Sequence, residues 1–496
     1  MPDLEWVQKP TNTTYKVPVI TNWNPLIGYM LYRNASIASL FYYKLVLEVY
    51  TGTSAVAANL IAKLKQRRNG YSVDVGADKA RAFFDLRDIA NSVLVNTVFD
   101  QNDTGQPFKA IHALGKNTAT KIYSQNGDRN TGETQIVALY VKALENYSSA
   151  ADVSPVDVVD ETINDTLHYI QASLPLLTAR AADAAYIQGT AFNVYNVSGT
   201  NDKFLSDLET STGDYNVSGY INYVQDEDFH TVAFLNDNDE FSSNILNMQI
   251  IYYDSDGAAI GISAEIENRA ATGGWKADNS EAGTPSDPMD SKYQLIYFGC
   301  GPNNLESQSV VAGAKPSNHA GWVYYTIQGI ESKASPSPNT ALYYFVKQDG
   351  SCKGFKVRRL AWRNSLGGYD YFNFKAKSTQ TVDVERNNYS SMLGTFNKSV
   401  WRYNNTQRGK ATRQTTAVLK ETLNTDWISE EDGNLLEKLI MSTDVYIVES
   451  GDGVETEYTQ AVMVTDSTHA RKTVANNNMI QYTVQIEYAN NVNTNS

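Results

Sequence analysis

The side chains that most often carry chemistry are spread thinly along this chain. Its five histidines, His112, His168, His230, His319 and His469, all lie far from one another. No HExxH pair, CxxC pair, GxSxG elbow or phosphate loop ending in Gly-Lys-Ser/Thr occurs, so the usual short signatures of metal, thiol, acyl-transfer or nucleotide chemistry are missing. Gly299-Cys300-Gly301 begins a GxG, but Asn304 stands where the third glycine belongs. A catalytic triad is defined by geometry and not by chain order, so spacing alone leaves that arrangement open.

The acidic clusters have two readings each. Asp254-Ser255-Asp256-Gly257 with Glu265 copies positions 1, 3 and 12 of a helix-flanked calcium loop, but Ala258 and Ala259 fall where a ligand and the required glycine should be. A hairpin turn at Asp256-Gly257 explains the same residues. Asp226-Glu227-Asp228 and Asp237-Asn238-Asp239-Glu240 read as solvated loops, or as sites for Ca²⁺ or basic partners. A glycosidase needs two carboxylates at a set separation, and no flanking signature marks such a pair. The expectation is a chain with no enzymatic activity, cofactor or resident metal.

Residues 354–374 form the most informative segment. Phe355, Val357 and Arg359 alternate with Lys356, Arg358 and Leu360, followed by Trp362; beyond Asn364-Ser365-Leu366-Gly367-Gly368, Tyr369, Tyr371 and Asn373 alternate with Asp370, Phe372 and Phe374. This predicts strand, glycine turn, strand, because only glycine takes positive φ at no cost. Lys353, Lys356, Arg358, Arg359 and Arg363 make the segment basic in a chain of net charge −14. That net charge excludes a general grip on phosphates by the whole surface. The basic strand is expected either to pair with an acidic neighbour or to lie beside passing nucleic acid. Its side chains Lys356, Arg358, Arg359, Trp362, Arg363, Tyr369, Tyr371 and Phe372 are the candidate assembly interface.

Two cysteines, Cys300 and Cys352, build no disulfide framework and suit a reducing compartment. The first residues carry neither a basic stretch nor an apolar run, and no window approaches the ~18 apolar residues of a membrane-spanning helix. The 32 tyrosines and 31 glycines favour strands and turns over helices. Tyrosine on loop tips would suit sugar or protein recognition. Most of these tyrosines fall in strand-like runs and read as sheet filling.

The expected fold class is mainly β with some α: several β-sandwich domains and a small α+β C-terminal domain. Length predicts three or four domains. Residues 1–110 read as a β-rich domain, with 39–50 a central strand, 54–68 more helical, and a short helix capped by Asp85 over Leu86, Ile89 and Val93. Residues 111–190 read as an insertion or connection: 134–141 could join the first sheet, and 158–177 could be helix or wandering loop. Residues 191–385 read as a β-sandwich region, with a hairpin over 247–262 and strands at 293–298, 323–327 and 343–347. Residues 386–496 form the α+β domain, with a helix over 427–441 capped by Ser429 and striped by Leu435, Leu436, Leu439 and Ile440, then strands at 445–448, 460–464 and 480–488.

The run Leu360-Ala361-Trp362-Arg363-Asn364-Ser365-Leu366-Gly367-Gly368-Tyr369-Asp370-Tyr371-Phe372-Asn373-Phe374, with Lys377-Ser378 after it, resembles a pattern in tail and baseplate structural proteins of tailed bacteriophages, including marine and crAss-like ones. Residues 423–447, from Leu423-Asn424-Thr425-Asp426-Trp427, residues 480–491, and Phe83-Phe84-Asp85-Leu86-Arg87-Asp88-Ile89 resemble the same family in the same order. The insertions near 111–190 and 267–320 depart from its compact form. The resemblance implies a virion structural protein in the tail hub, ring or baseplate, made in the host bacterial cytoplasm. Its implied partners are copies of itself in a ring and other tail proteins (tube, adaptor, fibres), with DNA passing and no specific nucleic-acid binding. The alternative is a receptor-binding or fibre protein that recognises a host-surface glycan.

Overall fold

The computed structural model describes residues 4–8, 19–20, 28–33, 36–52, 54–67, 80–93, 99–100, 109–110, 122–125, 136–170, 204–236, 245, 247–267, 294–306, 311–330, 338, 340–348, 354–449, 458–466, 468 and 480–489. The fold is mainly β with some α, in several separate sheets. Two compact units emerge: residues 1–222 with 229–346 and 364–370, and residues 223–228 with 347–363 and 371–496.

In the first unit, a sheet of Leu4–Gln8, Gly28–Arg33 and Ala80–Asp85 packs on a five-stranded sheet ordered Val19–Ile20, Val156–Ile170, Ile136–Ser148, Phe41–Thr51, Leu60–Arg67. Leu31, Ala82 and Phe84 from one layer meet Leu45, Leu47, Val49, Leu139 and Val141 from the other in a single core. Each such aliphatic or aromatic side chain contributes about 1.5–3 kcal/mol on burial. Strand Phe41–Thr51 is interior, as its two apolar faces predict: Val46 and Leu47 are both fully buried. Asp85 accepts from the Arg87 amide at 3.0 Å and starts helix Arg87–Val93.

The same unit holds a six-stranded sheet ordered Thr210–Thr212, Ser218–Val224, Tyr343–Lys347, Tyr324–Ile330, Asn247–Tyr253, Ala259–Glu267. A three-stranded sheet is ordered Thr231–Asn236, Gln294–Gly299, Ile122–Gln125. Tyrosine fills these sheets: Tyr252, Tyr325 and Tyr343 are buried, and Tyr325 stacks on Phe345 with centroids 5.0 Å apart.

The second unit is built on a sheet ordered Tyr369–Phe374, Arg358–Arg363, Val445–Glu449, Tyr458–Val464, Thr483–Tyr488, Lys410–Asn424, Thr379–Ser390. Helix Glu430–Met441 buries Leu435, Leu436 and Leu439, and the Ser429 hydroxyl caps it by accepting from the Asp432 amide at 3.2 Å. Gly433 lets the helix approach Tyr482 closely, since a Cβ there would stand 3.0 Å from the ring.

Three expectations need correction. Residues 54–68 are not helical: after a single tight turn at Ala57–Asn59 they form edge strand Leu60–Arg67, in register with Phe41–Thr51. Ala, Leu and Lys favour a helix, but pairing with a buried neighbouring strand overrides that weak preference. Residues 158–170 are strand and not helix or loop, and with Ile136–Ser148 they complete the first sheet. Positions 110, 190 and 385 are therefore not where the units divide. Strands Ile136–Ser148 and Val156–Ile170 belong with residues 41–51, and strand Thr379–Ser390 runs through position 385.

Candidate assembly surface

The hairpin at 358–374 forms as the sequence predicts, but its side chains face inward. Arg359 is buried. Its guanidinium donates to Asp228 at 3.1 Å and to Asn373 Oδ1 at 2.8 Å, and it lies 5.0 Å from the centroid of the Tyr371 ring. Asn373 closes the network by donating to Asp228 at 2.7 Å, and the Gln225 amide donates to the same carboxylate at 2.8 Å. Arg358 donates to Glu421 at 2.9 Å. Burial pushes the Glu421 carboxyl up, but hydrogen bonds from Gln380, Tyr488 and Arg358 outweigh it and hold its pKa below the usual glutamate value. Arg363 faces Asp444 at 3.8 Å; burial raises the pKa of Asp444 despite that cation.

Trp362, Tyr369 and Tyr371 are likewise buried, and Phe372 is half-buried against Phe374 with centroids 5.1 Å apart. Of the eight residues expected to make an assembly interface, Lys356 alone is fully exposed. The expected interface is therefore not a presented surface. The arginines do meet acidic neighbours, but these are carboxylates of the same chain.

The hairpin tip shows why its glycines are needed. Gly367 has φ 92°. A Cβ on Gly368 would stand 2.2 Å from the Leu205 carbonyl oxygen. Asn364 Oδ1 accepts from the amides of Leu366 and Gly368, while its Nδ2 donates to Leu205 O at 2.8 Å. Asp370 accepts from Ser206 Oγ at 2.6 Å and from the Asp207 amide at 2.9 Å.

The other candidate residues resolve as structural. Asp254 Oδ1 accepts from the amides of Asp256 and Ala258, and Gly257 takes φ 76°, so the calcium-like stretch is a hairpin turn. Among the described residues no three His, Cys, Asp or Glu side chains are placed to share a metal. Cys300 is buried, as are His230 and His319. His112, His469, Cys352 and residues 237–240 lie outside the described residues.

A surface built for contact does occur, in a segment that the sequence motifs did not mark. Strands Thr379–Ser390 and Lys410–Asn424 pair antiparallel from Thr379↔Thr422 to Ser390↔Lys410, with one register shift between Asn387 and Asn388. Of Lys410–Asn424, only Lys420–Asn424 is also paired with Thr483–Tyr488 at the base, so the rest is a two-stranded arm. All 12 residues of Thr379–Ser390 are exposed. The free part of the ribbon, residues 382–390 with their partners, is about 30 Å long at ~3.3 Å per residue. A small hairpin, Thr395–Asn397 with Val400–Arg402, forms its tip. There Met392 is 80% exposed, Phe396 72% and Tyr403 69%, with Leu393, Val400 and Trp401 beside them.

Residues 386–413 hold Arg386, Lys398, Arg402, Arg408, Lys410 and Arg413 and no Asp or Glu. That is +6 in a chain of net −14, so the remainder carries −20. All six cations are exposed. An isolated two-stranded ribbon is marginal in water, and exposed apolar residues rimmed by charge mark an interaction site.

No protein-family model matches this chain. No curated protein matches it either. Function therefore rests on the arm and on the chemistry of the described surfaces. No described helix is long and apolar enough to cross a membrane.

Proposed function

We propose that the chain is a non-enzymatic structural protein of a tailed-bacteriophage virion, a component of the tail hub, ring or baseplate that links neighbouring copies and other tail proteins. The observation that carries this reading is the arm built on Thr379–Ser390: that strand is exposed along its length, and the arm is apolar and cationic at its tip in an otherwise acidic chain. An arm of this kind gains order by seating on a neighbour, and the acidic remainder of a second copy is a complementary seat. Repeating one such head-to-tail contact about an axis closes a ring. The seven-stranded sheet that the arm extends from supplies its base, and the segments that resemble tail and baseplate proteins support this class of particle.

Native mass spectrometry of the full chain with negative-stain imaging tests the reading. A closed ring of fixed copy number supports it. A chain that stays monomeric at every concentration contradicts it.

A further inference from the structure

We propose that the cavity at the end of the five-stranded sheet binds a carboxylate-bearing sugar. The cavity is an open groove of about 850 Å³, large enough for an oligosaccharide unit or a drug-sized ligand. Tyr42, Tyr43, Lys44, Arg67, Asp152 and Pro155 line it.

Three consecutive residues of a regular strand cannot line one cavity, because successive side chains point to opposite faces. Here the strand is bulged. Lys44 pairs with Asn146 and Phe41 with Ser148, so Tyr42 and Tyr43 together stand opposite Tyr147. Tyr42 has φ 56°, a left-handed conformation that a bulky residue rarely takes. Its hydroxyl donates to the Ala151 carbonyl at 2.7 Å, which ties the bulge to the 151–155 turn across the cavity. Bulges that re-aim a side chain are common beside binding sites.

The chemistry of the lining selects the ligand. Lys44 and Arg67 are directly opposed on adjacent strands, so their side chains share a face. Among the described residues neither lies within ion-pair distance of a carboxylate. Two neighbouring cations, one a planar guanidinium, match a carboxylate. Asp152 accepts hydrogen bonds from hydroxyls. The exposed Tyr42 ring, with Pro155, offers flat apolar surface to the C–H face of a sugar ring, while Tyr43 is buried beneath it against Arg33 and Tyr147. One anion, several hydroxyls and an apolar face describe an acidic saccharide. A phosphate would use the cations and leave the Tyr42 ring unused. This inference stands apart from the assembly reading, because it concerns a different surface.

Isothermal titration of the full chain tests it with three probes: a glucuronic-acid trisaccharide, a neutral glucose trisaccharide and inorganic phosphate. The uronate is expected to bind in the range of about 0.1–1 mM, with the other two at least ~10-fold weaker. K44Q/R67Q, at two partly or fully exposed positions, should keep the wild-type melting temperature and bind the uronate at least ~10-fold more weakly. Y42A should weaken the uronate too. The proposal is overturned if the uronate gives no saturable heat up to about 10 mM, or if K44Q/R67Q binds it as tightly as wild type. Phosphate binding at equal strength, unaffected by Y42A, also overturns it, since the cavity is then a simple anion site.

Discussion

The Arg359 guanidinium donates to the Asp228 carboxylate at 3.1 Å, joining two buried groups 131 residues apart in the chain. Asn373 donates to the same carboxylate, so the pair is held as a three-membered network. Removing one member of a buried ion pair costs about 3–5 kcal/mol, because the other charge is left without its counter-ion. R359M should therefore lower the unfolding free energy of the second unit by that amount, read from its urea midpoint and slope. R359M/D228N should recover part of the loss. Equal midpoints for wild type and R359M would show that the network contributes nothing net.

Glu421 gives a pH-dependent prediction. Its pKa is lower folded than unfolded, so its contribution to stability is complete above the unfolded glutamate value of about 4.3 and is lost as pH falls through the folded value. E421Q should be destabilised at pH 7, and the gap from wild type should close on acidification below about pH 4. Thermal unfolding of both proteins from pH 7 to pH 3 measures it. A gap that stays constant over that range would contradict the assignment.

Gly368 has no space for a methyl group, since a Cβ would lie 2.2 Å from a backbone oxygen. Backbone cannot yield as a side-chain end can. G368A should cost about 2–4 kcal/mol, with the hydrogen bonds of Asn364 and Asp370 to residues 205–207 disturbed together. G354A is the contrasting control: Gly354 has positive φ, at 70°, but nothing lies within 4 Å of its Cβ position, so it tests backbone strain without the steric clash. It should cost only about 1 kcal/mol. Urea midpoints of the two variants decide the ranking.

The arm tip is exposed and contributes little to the core. Replacing residues 391–409 by Asn-Gly, which favours a tight hairpin turn, should leave the melting temperature within about 2 °C of wild type. F396S/W401S should behave likewise in stability and should reduce association. Calorimetry and light scattering on the same samples separate the two effects.

Much of the fold is legible in the sequence where a pattern is local. The Asp256-Gly257 turn, the Ser429 cap and the glycine turn after Asn364 all rest on residues within a few positions of each other. The edge strand Leu60–Arg67 was also visible in its alternation of Ala62 and Leu64 with Lys63 and Lys65, but the helix-forming residue types masked it. The destination of the arginines was not legible. Asp228 and Glu421 lie 131 and 63 residues from their partners, and no spacing rule brings them together. The arm had a local signature, six cations with aromatics and no acid over 386–413, yet its exposure emerges only once the sheet that supports it is in place.

The most direct test of assembly through the arm compares the wild-type chain with the variant carrying Asn-Gly in place of 391–409, by size-exclusion chromatography with light scattering at low and high salt. The account predicts a wild-type oligomer of fixed mass that weakens as salt rises and a folded, monomeric variant. A monomeric wild type, or a variant that forms the same oligomer, would contradict it.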